Sequence, residues 1–268
     1  MIREPIVAGH FYPESPAILE NQVKGFLDEK AKKEDVIGAI VPHAGYVYSG
    51  GVAGAVLSRI QAKDTFIILG PNHTGNGRPF SIMTEGSWRT PLGEVEINSI
   101  LGKEILETSQ HLEEDTIAHL YEHSIEVQVP FLQCIKPDVK IIPIMISHTS
   151  TTVYKDIGQK IAEAIKKTRS QVVILASSDM THYESHESAM KKDKAAIDAI
   201  LALKEDDLMR RVKEMHITMC GYAPAITLIS AAKHLGAKNA ILVRYQTSGD
   251  VSRDFANVVG YAGILISR

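Results

Sequence analysis

The sequence predicts an α/β fold: a single domain over residues 1–268, with a mainly parallel central sheet covered by helices on both faces. Short, continuous apolar runs are typical of strands buried on both faces, and residues 37–41, 66–69 and 172–175 are three such runs. Segments with helical spacing alternate with these runs, as in a sheet built from crossover helices. No repeat, low-complexity tract or long linker divides the chain into two domains.

The predicted elements follow in order along the chain. Residues 15–30 carry apolar residues at helical spacing after Ser15-Pro16, which resembles an N-cap followed by proline at the first helical position. Residues 80–96 are predicted to form an antiparallel segment at the edge of the sheet. The remaining predicted strands are 37–41, 65–69, 139–145, 172–175, 240–245 and 260–266, and the remaining predicted helices are 52–60, 99–109, 153–167, 188–203, 205–214 and 222–235.

Composition narrows the class of protein. The formal net charge is -3 and no basic block is present, so no nucleic-acid partner is predicted. No segment approaches the roughly 20 apolar residues that a membrane helix requires. The two cysteines, Cys134 and Cys220, fit neither a zinc-ribbon nor a CxxC spacing. We therefore expect a soluble, cytoplasmic protein in a reducing compartment, with no membrane association.

Three of the predicted strands end near histidines. His43 follows the first, His73 follows the second, and His182 follows the third. Because ligands of parallel sheets bind beyond the carboxyl ends of the strands, these side chains are expected to meet at one edge. A single histidine in a turn more often forms a hydrogen bond with the backbone than binds a metal ion. A second histidine at the same relative place favours a transition-metal site, since imidazole is the commonest side-chain ligand.

Asp179 precedes His182 by three residues, and two interpretations of this pair stay open. The carboxylate could orient the imidazole and raise its basicity, either in a ligand pair or in a general base with its partner. Alternatively, Asp179 could cap the helix that begins near residue 184. Both interpretations are compatible with the spacing.

Four polar residues further along have the spacing of one helix face: His119, Glu122, His123 and Glu126. Pro130 must interrupt such a helix unless it lies in a first turn. Glu122 and His123 flank an apolar segment and are predicted to belong to the site, whereas His119 is predicted to be a solvated surface residue. Cys220 stands at a predicted helix start, where the dipole would lower a thiol pKa, yet a buried, inert cysteine is the better-supported interpretation.

No G-x-S-x-G, P-loop or G-x-G-x-x-G motif points to a common class of enzyme. The chain instead carries a series of short motifs: AGHFYP at 8–13, PHAGY at 42–46, GPNH at 70–73, RTPLG at 89–93, EHSIE at 122–126, SSD at 177–179 with His182, CG at 220–221 and YAG at 261–263. Taken together, these motifs resemble the Memo family, whose archaeal and bacterial members are often called AmmeMemoRadiSam system protein B. The resemblance spans nearly the whole chain.

The Memo fold is similar to that of class III extradiol ring-cleaving dioxygenases, which hold non-haem iron(II) by two histidines and a glutamate. The resemblance implies that His43 and His73 are metal ligands and that His182 is the acid/base histidine, with Asp179 beside it. In the animal protein a cysteine supplies a third ligand, and copper or iron has been proposed there. That cysteine falls on Val251, which cannot ligate, so Asp250 is the predicted substitute if the loop shifts by one residue.

Two functions are compatible with these residues. The first is a metal-dependent oxidoreductase, with iron or copper, acting on a small substrate in the crevice. The second is a non-enzymatic protein that binds a ligand or phosphopeptide in the same crevice, because fold similarity alone does not decide function. The family's system name implies a radical-SAM partner, and a homo-oligomer is also an open alternative.

Overall fold

A nine-stranded mixed sheet runs through the centre of the computed structural model, which describes all residues from Met1 to Arg268. The strands are β1 (Ile2–Arg3), β2 (Gly38–Val41), β3 (Thr65–Gly70), β4 (Phe80–Ile82), β5 (Ser87–Thr90), β6 (Gly93–Glu96), β7 (Glu113–Glu114), β8 (Lys140–Ile146), β9 (Val172–Ser177), β10 (His182–Glu184), β11 (Asn239–Thr247) and β12 (Val258–Ser267). The helices are α1 (Pro16–Phe26), α2 (Tyr46–Leu57), α3 (Ser99–Thr108), α4 (Ile117–Leu120), α5 (Val129–Ile135), α6 (Thr151–Thr168), α7 (His186–Leu201), α8 (Glu205–Glu214), α9 (Tyr222–His234) and α10 (Gly249–Ser252).

The parallel strands lie in the middle of this sheet. Its order is β10–β12–β2–β9–β3–β8–β4–β7, and β11 pairs with β12. Strands β2, β9, β3 and β8 are mutually parallel, whereas β12 runs antiparallel to β2 and β4 runs antiparallel to β8. The predicted α/β fold is therefore confirmed, with a parallel centre and antiparallel flanks.

Alternate residues of the central strands enter two separate cores. In β3, Ile67 and Leu69 belong to a cluster of 38 buried residues that includes side chains of α3, α6, α7, α8 and α9. Phe66 and Ile68 belong to the opposite cluster of 30 residues, with side chains of α1, α2 and α5. Because both faces are covered, the middle residues of these strands are apolar on both faces, as the continuous runs predicted. None of the helices has the length and apolar character needed to cross a bilayer.

The antiparallel segment predicted over residues 80–96 is divided between two sheets. Strand β4 joins the main sheet beside β8. Strands β5 and β6 form an antiparallel pair and build a separate three-stranded sheet with β1, which lies parallel to β5. The N-terminal strand is too short to be recognised from its sequence, so this second sheet was not predicted.

The helix face predicted from His119 to Glu126 is wrong. Helix α4 ends at Leu120, a 3₁₀ turn covers Glu126–Gln128, and α5 begins at Val129 with Pro130 in its first turn. The chain between these elements is irregular because Glu122 accepts hydrogen bonds from the backbone N–H groups of His123 and Ser124, which compete with helical bonding.

Glu126 anchors the N-terminal segment instead of facing a crevice. Its buried carboxylate pairs with Arg3 and accepts hydrogen bonds from the Val7 N–H at 3.1 Å and the Tyr12 hydroxyl at 2.5 Å. Breaking such a buried pair leaves an uncompensated charge, which costs about 3–5 kcal/mol. These contacts explain in physical terms why the segments 8–13 and 122–126 belong to one structural unit.

The prediction that His119 is a solvated residue is also wrong. Its side chain is fully buried, with Nε2 3.1 Å from the Ser81 hydroxyl and its ring edge-on to Trp88. Burial lowers the pKa of His119 to about 3, so the imidazole is neutral in the folded protein.

Candidate metal centre

The carboxyl ends of β2, β3 and β9 bring His43, His73 and Asp179 to the same edge of the sheet. Ring centroids of His43 and His73 are 5.3 Å apart, and the His43 backbone N–H donates to Asp179 Oδ1 at 2.8 Å. Strands β2 and β3 both pair with β9 in parallel register, which places their ends side by side. The structure thus brings Asp179 next to two histidines that precede it by more than 100 positions in sequence.

Three histidines form a group with the spacing of metal ligands. One nitrogen from each of His43, His73 and His123 lies within 4.8 Å of the other two. His123 stacks on His73 with ring centroids 4.9 Å apart, and its centroid is 5.5 Å from that of His43. His43 is buried, His123 is partly buried and His73 is exposed, so the group opens on one side to the solvent.

The hydrogen bonds of His43 fix its tautomer. Ser177 Oγ has one proton, which it donates to the Ser124 carbonyl at 2.6 Å, and it accepts from Gln128 Nε2 at 2.9 Å. The hydroxyl must therefore also accept at its third contact, 2.9 Å from His43 Nδ1, which makes Nδ1 the protonated nitrogen. His43 Nε2 keeps its lone pair, and burial lowers the pKa of His43 well below its usual range. A neutral imidazole with a free Nε2 is a metal ligand.

Glu122 fixes the tautomer of His73 in the same way. The buried carboxylate accepts from the His73 backbone N–H at 2.5 Å and from His73 Nδ1 at 2.9 Å. Burial alone would raise the pKa of Glu122, but the hydrogen bond and charge of His73 lower it to about 2. The ionised carboxylate accepts only, so Nδ1 of His73 donates and Nε2 faces away from Glu122. Metal-binding histidines commonly donate their other ring N–H to a carboxylate.

The same carboxylate also faces His123. Glu122 Oε1 lies 3.3 Å from His123 Nδ1, and the Phe11 ring packs edge-on against His123 at 4.9 Å between centroids. Burial lowers the pKa of His123 below its usual value, whereas the charge of Glu122 opposes this change. For His73 the balance is reversed: burial would lower its pKa, but the bond to Glu122 raises it.

Asp179 and His182 lie near this group but do not bond each other. Asp179 Oδ1 accepts from the backbone N–H groups of His43 and, at 3.3 Å, Ala44. Burial raises the pKa of Asp179 to about 6, against the effect of these bonds. His182 Nδ1 donates to the Thr218 carbonyl at 3.0 Å, so a backbone oxygen and not Asp179 orients this ring.

The alternative role of Asp179 as a helix cap is not seen. Ser185 is the N-cap of α7, and its side chain accepts from the Ser188 N–H. Asp179 instead braces the turn after β2, which holds His43 in place.

Asp250, predicted as a substitute ligand, is not among the three grouped residues. It is exposed at the start of α10, and its Oδ2 accepts from the Thr247 backbone N–H at 2.7 Å. His123 is the third residue of the group, whereas the sequence predicted only that it belongs to the site.

Three contacts at the site were not predicted. Ser177 Oγ bonds the His43 ring, Gln128 Nε2 donates to Ser177 Oγ, and Cys220 Sγ lies 3.4 Å from His43 Nε2. Burial raises the pKa of the Cys220 thiol, and the nearby Asp179 charge adds to this effect, so the pKa is not lowered by the start of α9. Neither Ser177 nor Gln128 could be identified from spacing, because they lie on different elements.

The residues present fit a bound transition-metal ion. Nδ1 is used as a donor in both His43 and His73, which leaves Nε2 as the ligating atom of each, and His123 supplies a third nitrogen. The orienting groups behind the ligands, a hydroxyl and a carboxylate, are those that metal-binding histidines generally have.

The chain is similar to known proteins over nearly its whole length. The family model described as "Memo-like protein" matches residues 3–265. A "MEMO1 family protein" from Methanococcoides burtonii is 46% identical over 267 residues, which cover 99% of this chain and 100% of the relative. Another from Desulfurococcus amylolyticus is 43% identical over 98% of each chain. The crystal structure of an uncharacterized Escherichia coli K12 protein superposes with a TM-score of 0.52 at 10% identity, over 78% of this chain and 88% of that one, and supports the fold. This chain belongs to the Memo family.

Proposed function

We propose that the protein is a metal-dependent oxidoreductase that acts on a small substrate in the crevice beyond β2, β3 and β9. The observation that carries the proposal is the group of His43, His73 and His123, whose nitrogens lie within 4.8 Å of one another. Imidazole ligands suit both iron and copper. Either metal, when bound, would supply Lewis acidity and one-electron redox chemistry.

The fixed tautomers support this role. A site whose free nitrogens already face the ion needs little reorganisation when the ion binds, and the carboxylate behind His73 raises the basicity of that ligand. In the proposal His123 is the third ligand in place of Asp250, because Asp250 is committed to the backbone of Thr247. The open side next to His73 gives a small substrate access to the group.

His182 is the proposed acid/base residue. Its Nδ1 is held by Thr218, so Nε2 is available to accept or release a proton. Asp179 is a positioning residue in this scheme, since it fixes the turn of His43 and lies close enough for its charge to act on His182 and His73. The similarity of the Memo fold to ring-cleaving dioxygenases, which the family resemblance implies, supports an acid/base histidine at this position.

Oxygen uptake tests the proposal. Protein loaded anaerobically with iron(II) is mixed with air-saturated buffer and a panel of small dihydroxylated aromatic compounds, and an oxygen electrode follows the reaction. We expect iron-dependent uptake with at least one compound. His182→Gln should retain the iron and react about 10²–10⁴-fold more slowly, because it loses the proton transfer.

His234→Gln is the matched control. His234 is exposed at the end of α9, a 13-residue helix that starts beside Cys220 and is about 20 Å long, so this variant should react normally. Iron-loaded protein that consumes no oxygen with any compound would contradict the oxygenase form of the proposal. Equal rates in His182→Gln and the control would contradict the role of His182.

Exposed aromatic side chains favour a ligand-binding protein as the second candidate. Tyr183 is 77% exposed and directly follows His182, and Tyr48 is 41% exposed. Burial raises the pKa of Tyr261, and the charges of Asp179, Tyr48 and Tyr183 add to that effect, so these side chains lie near Tyr261. Aromatic residues are enriched where proteins bind partners. A peptide or small molecule bound without turnover would support this candidate.

A further inference from the structure

Asp193 is a buried carboxylate that lies on α7, outside the candidate metal centre. Its Oδ1 accepts a hydrogen bond from the Thr181 backbone N–H at 2.8 Å, and its Oδ2 accepts one from the Tyr245 hydroxyl at 2.8 Å. Burial raises the pKa of Asp193, whereas these hydrogen bonds and the charge of His182 act against that effect. His182, which directly follows Thr181, is therefore close enough for its charge to act on the carboxylate.

The turn that carries His182 is held from three sides. The backbone N–H groups of three successive residues each donate to a different part of the fold: Met180 to the Gly260 carbonyl of β12 at 2.8 Å, Thr181 to Asp193 of α7, and His182 to Thr218 Oγ1 at 2.7 Å. The next residue, Tyr183, has a φ of 58°, which bulky residues rarely adopt. Such a conformation persists only where the surrounding contacts fix it. Asp193 is the charged acceptor among these contacts.

The carboxylate of Asp193 packs against the backbone of β12. A Cβ atom at Gly260 would overlap Asp193 Oδ2, so a larger residue at this position would displace the carboxylate. Glycine therefore permits the close approach. Together with the Tyr245 hydroxyl, this fit fixes the orientation in which Oδ1 meets the Thr181 N–H.

The same kind of contact is present at the metal centre. Glu122 and Asp179 are buried carboxylates that each accept a backbone N–H from one of the grouped histidines. Asp193 does this for the turn of His182, through the N–H of the preceding residue. Spacing along the chain pointed to Asp179 as the partner of His182, whereas Asp193 is eleven residues away, on the helix that follows.

We propose that Asp193 is the positioning residue of His182: it holds the preceding peptide so that the imidazole stays bonded to the Thr218 carbonyl and Nε2 stays free for proton transfer. This inference rests on the proposed acid/base role of His182. The contact of Nδ1 with the Thr218 carbonyl, at 3.0 Å, places the proton of the neutral ring on Nδ1. A turn that moves would lose this bond, and the ring would then adopt both tautomers.

NMR spectroscopy of protein labelled with ¹⁵N in its histidine rings tests this without any substrate. Spectra are recorded at about pH 8.5, where an ordinary imidazole is neutral, and His182→Gln identifies the signals of His182. In the unaltered protein these signals should be those of a ring protonated at Nδ1. Asp193→Ala should give a mixture of the two tautomers. Asp193→Asn should restore the Nδ1-protonated form, because it keeps an oxygen acceptor for the Thr181 N–H.

Asp198→Ala is the matched control for the NMR measurement. Asp198 lies on the same helix, with a side chain that is 45% exposed, and its loss should leave the tautomer of His182 unchanged. The oxygen-uptake assay adds a second measurement. Asp193→Ala should keep its iron and react about 10–100-fold more slowly, since a displaced catalytic group or a lost outer partner costs about that much. Asp193→Asn should recover most of the rate.

The outcomes separate this inference from the proposed function. A ring that stays protonated at Nδ1 in Asp193→Ala would overturn the inference, whether or not oxygen is consumed. A mixture in Asp193→Asn equal to that in Asp193→Ala would overturn it too. If no variant and no unaltered protein consumes oxygen, the oxygenase proposal fails, and the tautomers still decide the role of Asp193. If Asp193→Ala does not fold, Gly260→Ala takes its place, because its methyl group displaces the carboxylate and removes no polar group; an unchanged tautomer there contradicts the inference.

Discussion

Replacing Glu122 with alanine should lower the free energy of unfolding by about 3–5 kcal/mol. The carboxylate is fully buried and accepts four hydrogen bonds: from His73 N, His73 Nδ1, His123 N and Ser124 N. Alanine would leave these donors without a partner, and each buried donor left unsatisfied costs about 1–3 kcal/mol. Chemical denaturation of the purified variants measures the change.

Two further variants separate charge from packing. Glu122→Gln keeps the volume and one acceptor but places an amide N–H₂ against N–H donors, so its stability should fall between those of the alanine variant and the unaltered protein. Glu113→Ala, at a side chain that is 54% exposed, is the control and should change stability by less than about 0.5 kcal/mol. If Glu122→Ala is as stable as Glu113→Ala, Glu122 does not hold the two histidine segments together.

Acidification from pH 7 to pH 5 should destabilise the protein by about 2 kcal/mol through His119 alone. The pKa of His119 is lowered to about 3 in the folded state, because the ring is buried, and is about 6.5 in the unfolded chain. Between these two values the unfolded state binds a proton that the folded state does not. Stability from this residue is therefore present above about pH 6.5 and is lost as the pH falls.

His119→Gln removes this proton and should reduce the loss of stability between pH 7 and pH 5 by about that amount. Urea unfolding at the two pH values gives the difference directly. The exposed His234→Gln should retain the full pH dependence of the unaltered protein. A pH dependence in His119→Gln equal to that of His234→Gln would show that the buried imidazole is not the source of the effect.

The features of the fold that depend on strand direction could be predicted from the sequence alone. Continuous apolar runs are typical of strands buried on both faces, and the carboxyl ends of parallel strands meet at one edge of a sheet, so the meeting of His43 and His73 was predictable. The proline in the first turn of α5 was one of the two arrangements that Pro130 allowed. These inferences needed only local patterns and the geometry of sheets.

The remaining features depend on contacts between distant segments. The spacing of His119 and Glu122 predicted a helix, but their side chains bond groups on other segments, Ser81 and His73, and the helix stops at Leu120. Ser177 orients His43 only because Ser124 and Gln128 arrive from a different part of the chain. The spacing of residues within one segment does not predict such contacts with other segments.

Metal occupancy in histidine variants tests the central proposal most directly. Protein is incubated anaerobically with iron(II) or with copper, freed of excess ion, and analysed by inductively coupled plasma mass spectrometry. The unaltered protein should hold about one ion per chain of at least one of the two metals, and His43→Ala with His73→Ala should hold almost none while His234→Gln holds as much as the unaltered protein. Equal metal content in the double variant and in the unaltered protein would contradict a metal centre at these histidines.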